Sequence, residues 1–408
     1  MVEIRRRRVF FIEGYEPQGA AGFHRMFKRE WNRFCANWRI SGTIQDIQIQ
    51  SSDIASWHIE TVGPNWQVST QYEFLRLENY IARNLALPRL TQLGRALRWI
   101  ADDIASGALA RVFRASWRMG VLIVYSQIFL LLWLGLSLFG GWFATRALDS
   151  ITDSFLAQIA IALIAAFAIF AALRPVVDAM FVNQLNNCWP YLREFARGKQ
   201  TDFDRSIALF AERIVDAANA NDTDEILIVG HSAGAMLALT ATQRALAIDP
   251  DMGLKRARVS VLTLGSIMPA LALHPEASKL RETIRTIATE PTVFWADCQA
   301  QEDFMNFWNY DPVSGVGINV GQERCNPRVW PVPVRQMISP ENFKKARFNY
   351  WRMHYQYIMS NDRRASYDYF MFVCGPAPLS VWAERGQSAD EAFETDARFR
   401  ILDLKAAE

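Results

Sequence analysis

Residues 226–246, reading ILIVGHSAGAMLALTATQRAL, constrain this 408-residue chain more than any other stretch. Ile226, Leu227, Ile228 and Val229 form a short apolar run of the kind a strand buried on both faces shows. Gly230, His231, Ser232, Ala233 and Gly234 follow as a G-x-S-x-G pentapeptide, and from about Ala235 the chain is rich in helix-forming Ala and Leu. Small residues on both sides let strand and helix approach closely across a tight turn. Such a turn lifts the Ser232 hydroxyl clear of the sheet. It also puts the Ala233 N–H at a helix N-terminus, where the dipole favours negative charge.

Strand, G-x-S-x-G and helix in that order resemble the nucleophile elbow of the α/β-hydrolase family of serine lipases and esterases. The resemblance is strongest over 226–246, weaker over 9–34 and 259–360, and absent across roughly 100–190. It implies an α/β fold, a mostly parallel sheet with helices on both faces. It also implies a Ser-His-Asp triad with Ser232 as nucleophile, in the chain order Ser, then acid, then His. Two histidines follow Ser232. His274 precedes the acid loop, so the order favours His354, in WRMHYQY, as the base. For the acid, the loop beyond the strand that ends near Ala296 offers three residues. Asp303 is preferred for its distance from the strand. Asp311 is the alternative, standing in an Asp-Pro-Val like that of many lipases, and Asp297 ranks third.

The strand at 9–12 runs into Glu13, Gly14 and Tyr15. The family commonly has His-Gly-aromatic here, and the residue after that Gly donates the second oxyanion N–H. The resemblance therefore assigns the oxyanion hole to Tyr15 and Ala233, with Glu13 standing where a His is common. It implies no metal and no organic cofactor. His231 is read as a packing residue of the elbow and His58 as structural, and His24 is assigned no role.

The composition changes abruptly further along. No charged residue occurs over the 27 positions between Arg118 and Arg146, nor over the 20 between Asp153 and Arg174. A bilayer core about 30 Å thick needs about 20 helical residues. Spans are therefore expected at about 119–145 and 154–173, joined as a hairpin, with Trp117 and Trp142 near the ends of the first. Arg111, Arg114 and Arg118 precede the hairpin and Arg174 follows it; the connecting loop holds Arg146, Asp149 and Asp153. The positive-inside rule then puts both termini and the hydrolase part in the cytoplasm. Five scattered cysteines without CxxC spacing suit a reducing compartment and support neither a disulfide framework nor a zinc site.

A hydrophobic fraction of 51% and a net charge of +2 argue against disorder and against a nucleic-acid-binding face. The apolar stretch at 9–12 is too short for a signal peptide. The arginines at 5–8 read either as a solvated lead-in to the first strand or as a contact for anionic lipid head groups.

In order, the chain reads as strand 9–12, a helix over 21–38, an alternating strand at 43–50, and strands at 57–61 and 66–72 around a Gly63-Pro64-Asn65 turn. Two amphipathic helices are expected over 73–113, broken near Pro88. Past the hairpin, a T-x-x-D box at Thr201 to Asp204 starts a helix that runs to about Asn219. Later strands are expected at 259–265 and 292–296, with an edge strand within 328–337 and a helical, aromatic 341–360. The organisation is then 1–75 and 191–382 as one hydrolase domain, 76–190 as a helical insertion, and 383–408 as a charged tail without an assigned role.

The expected activity is hydrolysis of acyl esters at a bilayer, the lipid-like substrate being inferred from location. An acyltransferase using the same triad, or a membrane scaffold without turnover, stays open on these residues.

Overall fold

The computed structural model describes residues 3–148, 154–199, 203–385 and 392–400. The chain divides into two compact units: Met1–Arg83 together with Glu194–Glu408, and Asn84–Arg193. The second is thus inserted, in chain order, into the first. The expected insertion at 76–190 shifts to 84–193.

The first unit is α/β. Its nine-stranded sheet comprises β1 (Arg6–Ile12), β2 (Ser41–Ile44), β3 (Gln48–Ile49), β4 (Ile54–Val62), β5 (Gln67–Leu75), β6 (Glu225–His231), β7 (Arg258–Leu264), β8 (Val293–Gln299) and β9 (Arg328–Pro331). The spatial order is β2-β4-β5-β1-β6-β7-β8-β9, with β3 also on β4. From β5 to β9 the neighbours are parallel; β4 is antiparallel to β5, β2 and β3. All seven residues of β6 are buried, as its apolar run requires. Neighbouring Phe10 and Phe11 point to opposite faces, the two-residue period of a strand. Phe10 meets Phe210 of helix Phe203–Asn219 edge-on at 5.2 Å. Phe11 lies 4.4 Å from Phe23 of helix Gly19–Trp38. Helices therefore cover both faces.

The topology also places the crevice. From β1 the chain crosses to the far edge at β2 and works back through β4 to β5 on one side of β1, then passes to β6 on the other. The gap beyond the carboxyl ends of β1 and β6 is a topological switch point, where open parallel sheets bind ligands.

Several local expectations change. The stretch 43–50 is two short strands, β2 and β3, rather than one. Beyond β5 there are three helices, Glu78–Leu85, Arg89–Ala105 and Ala108–Ala115, instead of two. The extra break falls at Gly107, whose φ of +67° suits glycine. The aromatic 341–360 divides into Pro340–Ala346, Tyr350–His354 and a 3₁₀ turn at Tyr355–Ile358. β9 lies at the sheet edge, where Pro331 is tolerated.

The reading of the arginines at 5–8 as solvated or lipid-facing fails at Arg7. It lies inside β1 and is fully buried. Its Nε donates to Glu225 Oε2 at 2.8 Å, while Nη1 and Nη2 donate to the carbonyls of Gly375 and Ala377.

The tail is not wholly an unpatterned surface either. Phe393 is buried, 5.2 Å from the Trp38 ring and stacked on Trp382. Thr201 and Asp202 of the expected capping box, the loop 149–153, and residues 386–391 and 401–408 of the tail lie outside the described residues.

In the second unit, helices Trp117–Ala147 and Phe155–Ala179 are long and apolar enough to cross a bilayer. They pack together. The Trp133 and Phe170 rings stack at 3.9 Å, and Trp133 Nε1–H donates to the Phe170 carbonyl at 3.1 Å. A Cβ at Gly141 would stand 2.4 Å from the Ala162 carbonyl oxygen, so only glycine permits this approach. None of the most apolar 18-residue window of Phe155–Ala179 is buried, and Leu163, Ile164 and Phe167 are exposed. A continuous apolar surface of this size is a liability in water and an asset in lipid.

Candidate active site

Ser232 occupies the turn between β6 and helix Gly234–Ile248. Its φ is +58°, a left-handed conformation that costs a non-glycine residue roughly 1–2 kcal/mol. The two glycines of the pentapeptide explain how the turn closes. A Cβ at Gly230 would lie 2.5 Å from the Gly234 carbonyl oxygen, within the passing helix. A Cβ at Gly234 would lie 2.1 Å from the Ile12 carbonyl oxygen, so this glycine admits the end of β1 rather than the β6 strand itself. The Ser232 N–H donates to the Leu264 carbonyl at 2.8 Å, which ties the turn to β7.

His354 closes helix Tyr350–His354 and is buried. Its Nδ1 lies 2.8 Å from Asp303 Oδ2. A carboxylate only accepts, so Nδ1 donates, which in the neutral ring leaves the lone pair on Nε2. Nε2 is buried without a hydrogen-bond partner. The His354 ring packs 4.7 Å from that of His231, the residue immediately before the serine. A Cβ at Gly265, the next residue after β7, would come within 3.2 Å of His354 Cε1 and 3.1 Å of Asp303 Oδ2. With Ser232 N–H bonded to Leu264, these contacts bring the serine turn, the imidazole and the carboxylate to one spot at the carboxyl ends of β6 and β7. Ser232 Oγ and Nε2 are not hydrogen-bonded to each other.

Of the three carboxylates, Asp303 alone meets His354. Fully buried in the loop after β8, it also accepts from the Met305 N–H at 2.8 Å. Asp311 is turned to other work. Arg324 grips it with two bonds, at 2.6 and 2.9 Å; although partial burial opposes ionisation, this fork and the Val313 N–H hold its carboxyl below the usual range. Asp297 lies within β8, hydrogen-bonded to Thr263 and Gln299, and burial pushes it up to about 6. His274 instead accepts from the Glu276 N–H and meets Arg197.

The oxyanion side is set by β1. A Cβ at Gly14 would lie 3.1 Å from Ser232 Cβ and 3.4 Å from the Ala233 nitrogen, so the Gly14–Tyr15 backbone borders the serine turn. The Ala233 N–H, between β6 and its helix, has no protein acceptor among the described residues. Glu13 is buried, with Oε2 unpartnered and Oε1 3.5 Å from the Tyr355 hydroxyl. Burial, then repulsion from Glu16, raises it well above the normal carboxylate range.

Two contributors escaped the sequence reading. His231 is more than packing, since its Nε2–H donates to the His354 carbonyl at 3.0 Å. Burial, reinforced by the neighbouring His354, holds it down to about 3 and so neutral. Gly265, at φ +53°, is the other; its only signal was a glycine ending the apolar 259–265 run.

The arrangement is suited to nucleophilic acyl chemistry: a hydroxyl on a strained turn, a base with one nitrogen oriented by a carboxylate and the other left open, and an unpaired N–H at a helix start. No group of three or more His, Cys, Asp or Glu among the described residues could hold a metal ion. Comparison with protein-family models, with curated proteins and with solved structures gave no match for this chain.

Proposed function

We propose that this chain is a membrane-anchored serine hydrolase of α/β-hydrolase type that cleaves acyl esters of lipid-like substrates. The carrying observation is His354, whose Nδ1 is fixed by Asp303 while its unpartnered Nε2 lies beside the Ser232 turn. The chain order Ser232, Asp303, His354 and the position of the serine at the sheet's switch point support the same reading.

In the proposed cycle, Ser232 Oγ attacks the ester carbonyl as His354 Nε2 takes its proton. Asp303 stabilises the resulting imidazolium. The N–H groups of Ala233 and Tyr15 receive the oxyanion, each donor being worth about 3 kcal/mol. The tetrahedral adduct collapses, and His354 returns the proton to the departing alcohol. Water, activated by the same imidazole, then releases the acid. The cycle requires a hydrogen bond between Ser232 Oγ and His354 Nε2 before the proton moves.

The apolar pair of helices supplies the anchor and the argument for a lipid-like substrate. By the positive-inside rule both chain ends and the hydrolase unit face the cytoplasm. Labelling with a fluorophosphonate probe tests the chemistry. The wild-type chain is expected to label, and Ser232→Ala and His354→Ala, still folded by circular dichroism, are expected not to. Failure of folded wild-type protein to label would overturn the reading.

A further inference from the structure

The segment that leads into His354 has an unusual surface. Lys344, Lys345 and Arg347 are exposed, and none forms an ion pair among the described residues. Phe348 is 72% exposed and Tyr350 50%. Arg347 covers the Phe348 ring at 4.5 Å. The Tyr350 ring stands 5.1 Å from that of Phe304, the residue next to Asp303. The patch is therefore attached to both the acid loop and the short helix that ends in His354. Glu341 is the one exposed acid on helix Pro340–Ala346, which carries Lys344 and Lys345, and nearby Glu302 is taken by Arg335.

We propose that this patch docks on an anionic bilayer surface and holds the triad against it. Three unpaired cations require anions, and two protruding aromatic rings beside them require an apolar or interfacial medium. Lipid head groups over acyl chains supply both at once. A bilayer is also the partner this chain has covalently within reach, provided that its two apolar helices span one; the inference rests on that part of the proposed function. Tethering converts docking into an intramolecular step, so weak contacts suffice. Each basic side chain at an anionic surface strengthens such docking about fivefold.

The test uses the full chain in nanodiscs. Cys325, the only cysteine exposed, is changed to Ser, and Phe348→Cys carries an NBD dye in place of the ring. In discs of phosphatidylcholine with phosphatidylglycerol, dye emission is expected to shift to the blue and to be quenched by spin-labelled lipid. In pure phosphatidylcholine the shift should be small. Lys344→Gln/Lys345→Gln/Arg347→Gln should lower the docked-to-free ratio about a hundredfold and abolish the shift, as should high salt. An identical spectrum in both lipids, or a shift untouched by the triple variant, overturns the proposal. So does a shift that appears only with two copies per disc, which would make the occupant a second chain. Fluorophosphonate labelling of Ser232 in the same discs reports the catalytic reading separately, and circular dichroism shows that the variants are folded.

Discussion

The two ends of β6 were built to opposite rules. At the amino end, Glu225 and Arg7 form a buried ion pair whose members are satisfied: Arg7 also serves two carbonyls, and Glu225 accepts from Ser260 Oγ and the Leu379 N–H. At the carboxyl end, Ser232 is held at positive φ, His354 Nε2 lacks a partner, and Glu13 Oε2 is buried and unpaired. Both ends are buried in one sheet, so burial does not separate them. What separates them is whether the polar groups are satisfied. The amino end closes the fold, clasping residues 375–379 to the first strand. The carboxyl end keeps strain and open valences.

The comparison breaks most clearly if a substitution at one end behaves as though it were at the other. The largest expected effect is on turnover. Asp303→Asn leaves His354 without its orienting carboxylate and favours the wrong tautomer, for a loss in kcat of about 10⁴-fold with the unfolding midpoint little changed. Asp311→Asn, which disturbs the Arg324 fork and the turn around Val313 and Ser314 but nothing that touches His354, should leave ester hydrolysis nearly intact. Equal losses in the two variants would sink the assignment of Asp303.

Next comes stability at the amino end. Arg7→Ala strands the Glu225 carboxylate in the core and is expected to cost about 3–5 kcal/mol, read as a lowered thermal midpoint. Ser232 labelling per folded molecule should not change, since β6 separates the two ends by roughly 20 Å. Replacing both partners by apolar residues of similar volume should recover much of the loss, because no charge is then left alone.

His231 gives a smaller and pH-dependent effect. Its folded-state value of about 3 lies below that of a free histidine, near 6.5. Above pH 6.5 folded and unfolded chains are both neutral at this ring, and its stabilising contribution is complete. As pH falls, the unfolded chain takes the proton first, so the contribution declines between about 6.5 and 3, by up to about 1.4 kcal/mol per unit. The stability gap between wild type and His231→Gln, measured by denaturant titration, should therefore narrow on acidification through that window. A constant gap would mean that this ring is not held neutral.

Much of the carboxyl end was legible because its logic is local. A buried strand, a tight turn and a helix fall within some twenty consecutive residues, and the apolar helices announce themselves by length. Distance from the strand also favoured Asp303 over its rivals. The amino end was not legible. Arg7 and Glu225 are 218 positions apart, and nothing near either says that β1 lies beside β6 in the sheet. An arginine in a basic run looks solvated until its partner is known. The same applies to His231: its bond to the His354 carbonyl spans 123 positions, and only the folded topology brings the two rings together. Local breaks, such as Gly107 in the helical stretch, were missed because amphipathic spacing continues on both sides of them.

The smallest effect bears most directly on the strain at the carboxyl end. Ser232→Ala and Ser232→Gly both remove the hydroxyl, so both should abolish labelling and turnover. They differ in the backbone. Alanine must still adopt φ near +58°, with its Cβ crowding the carbonyl, whereas glycine takes that conformation freely. Glycine carries an entropic penalty of its own in the unfolded state, which offsets part of the gain. The glycine variant should nevertheless be the more stable of the two by about 1 kcal/mol, and so unfold at the higher temperature. If alanine were the more stable of the two, the turn would hold no strain to release. The carboxyl end would then differ from the amino end in its unpaired groups alone.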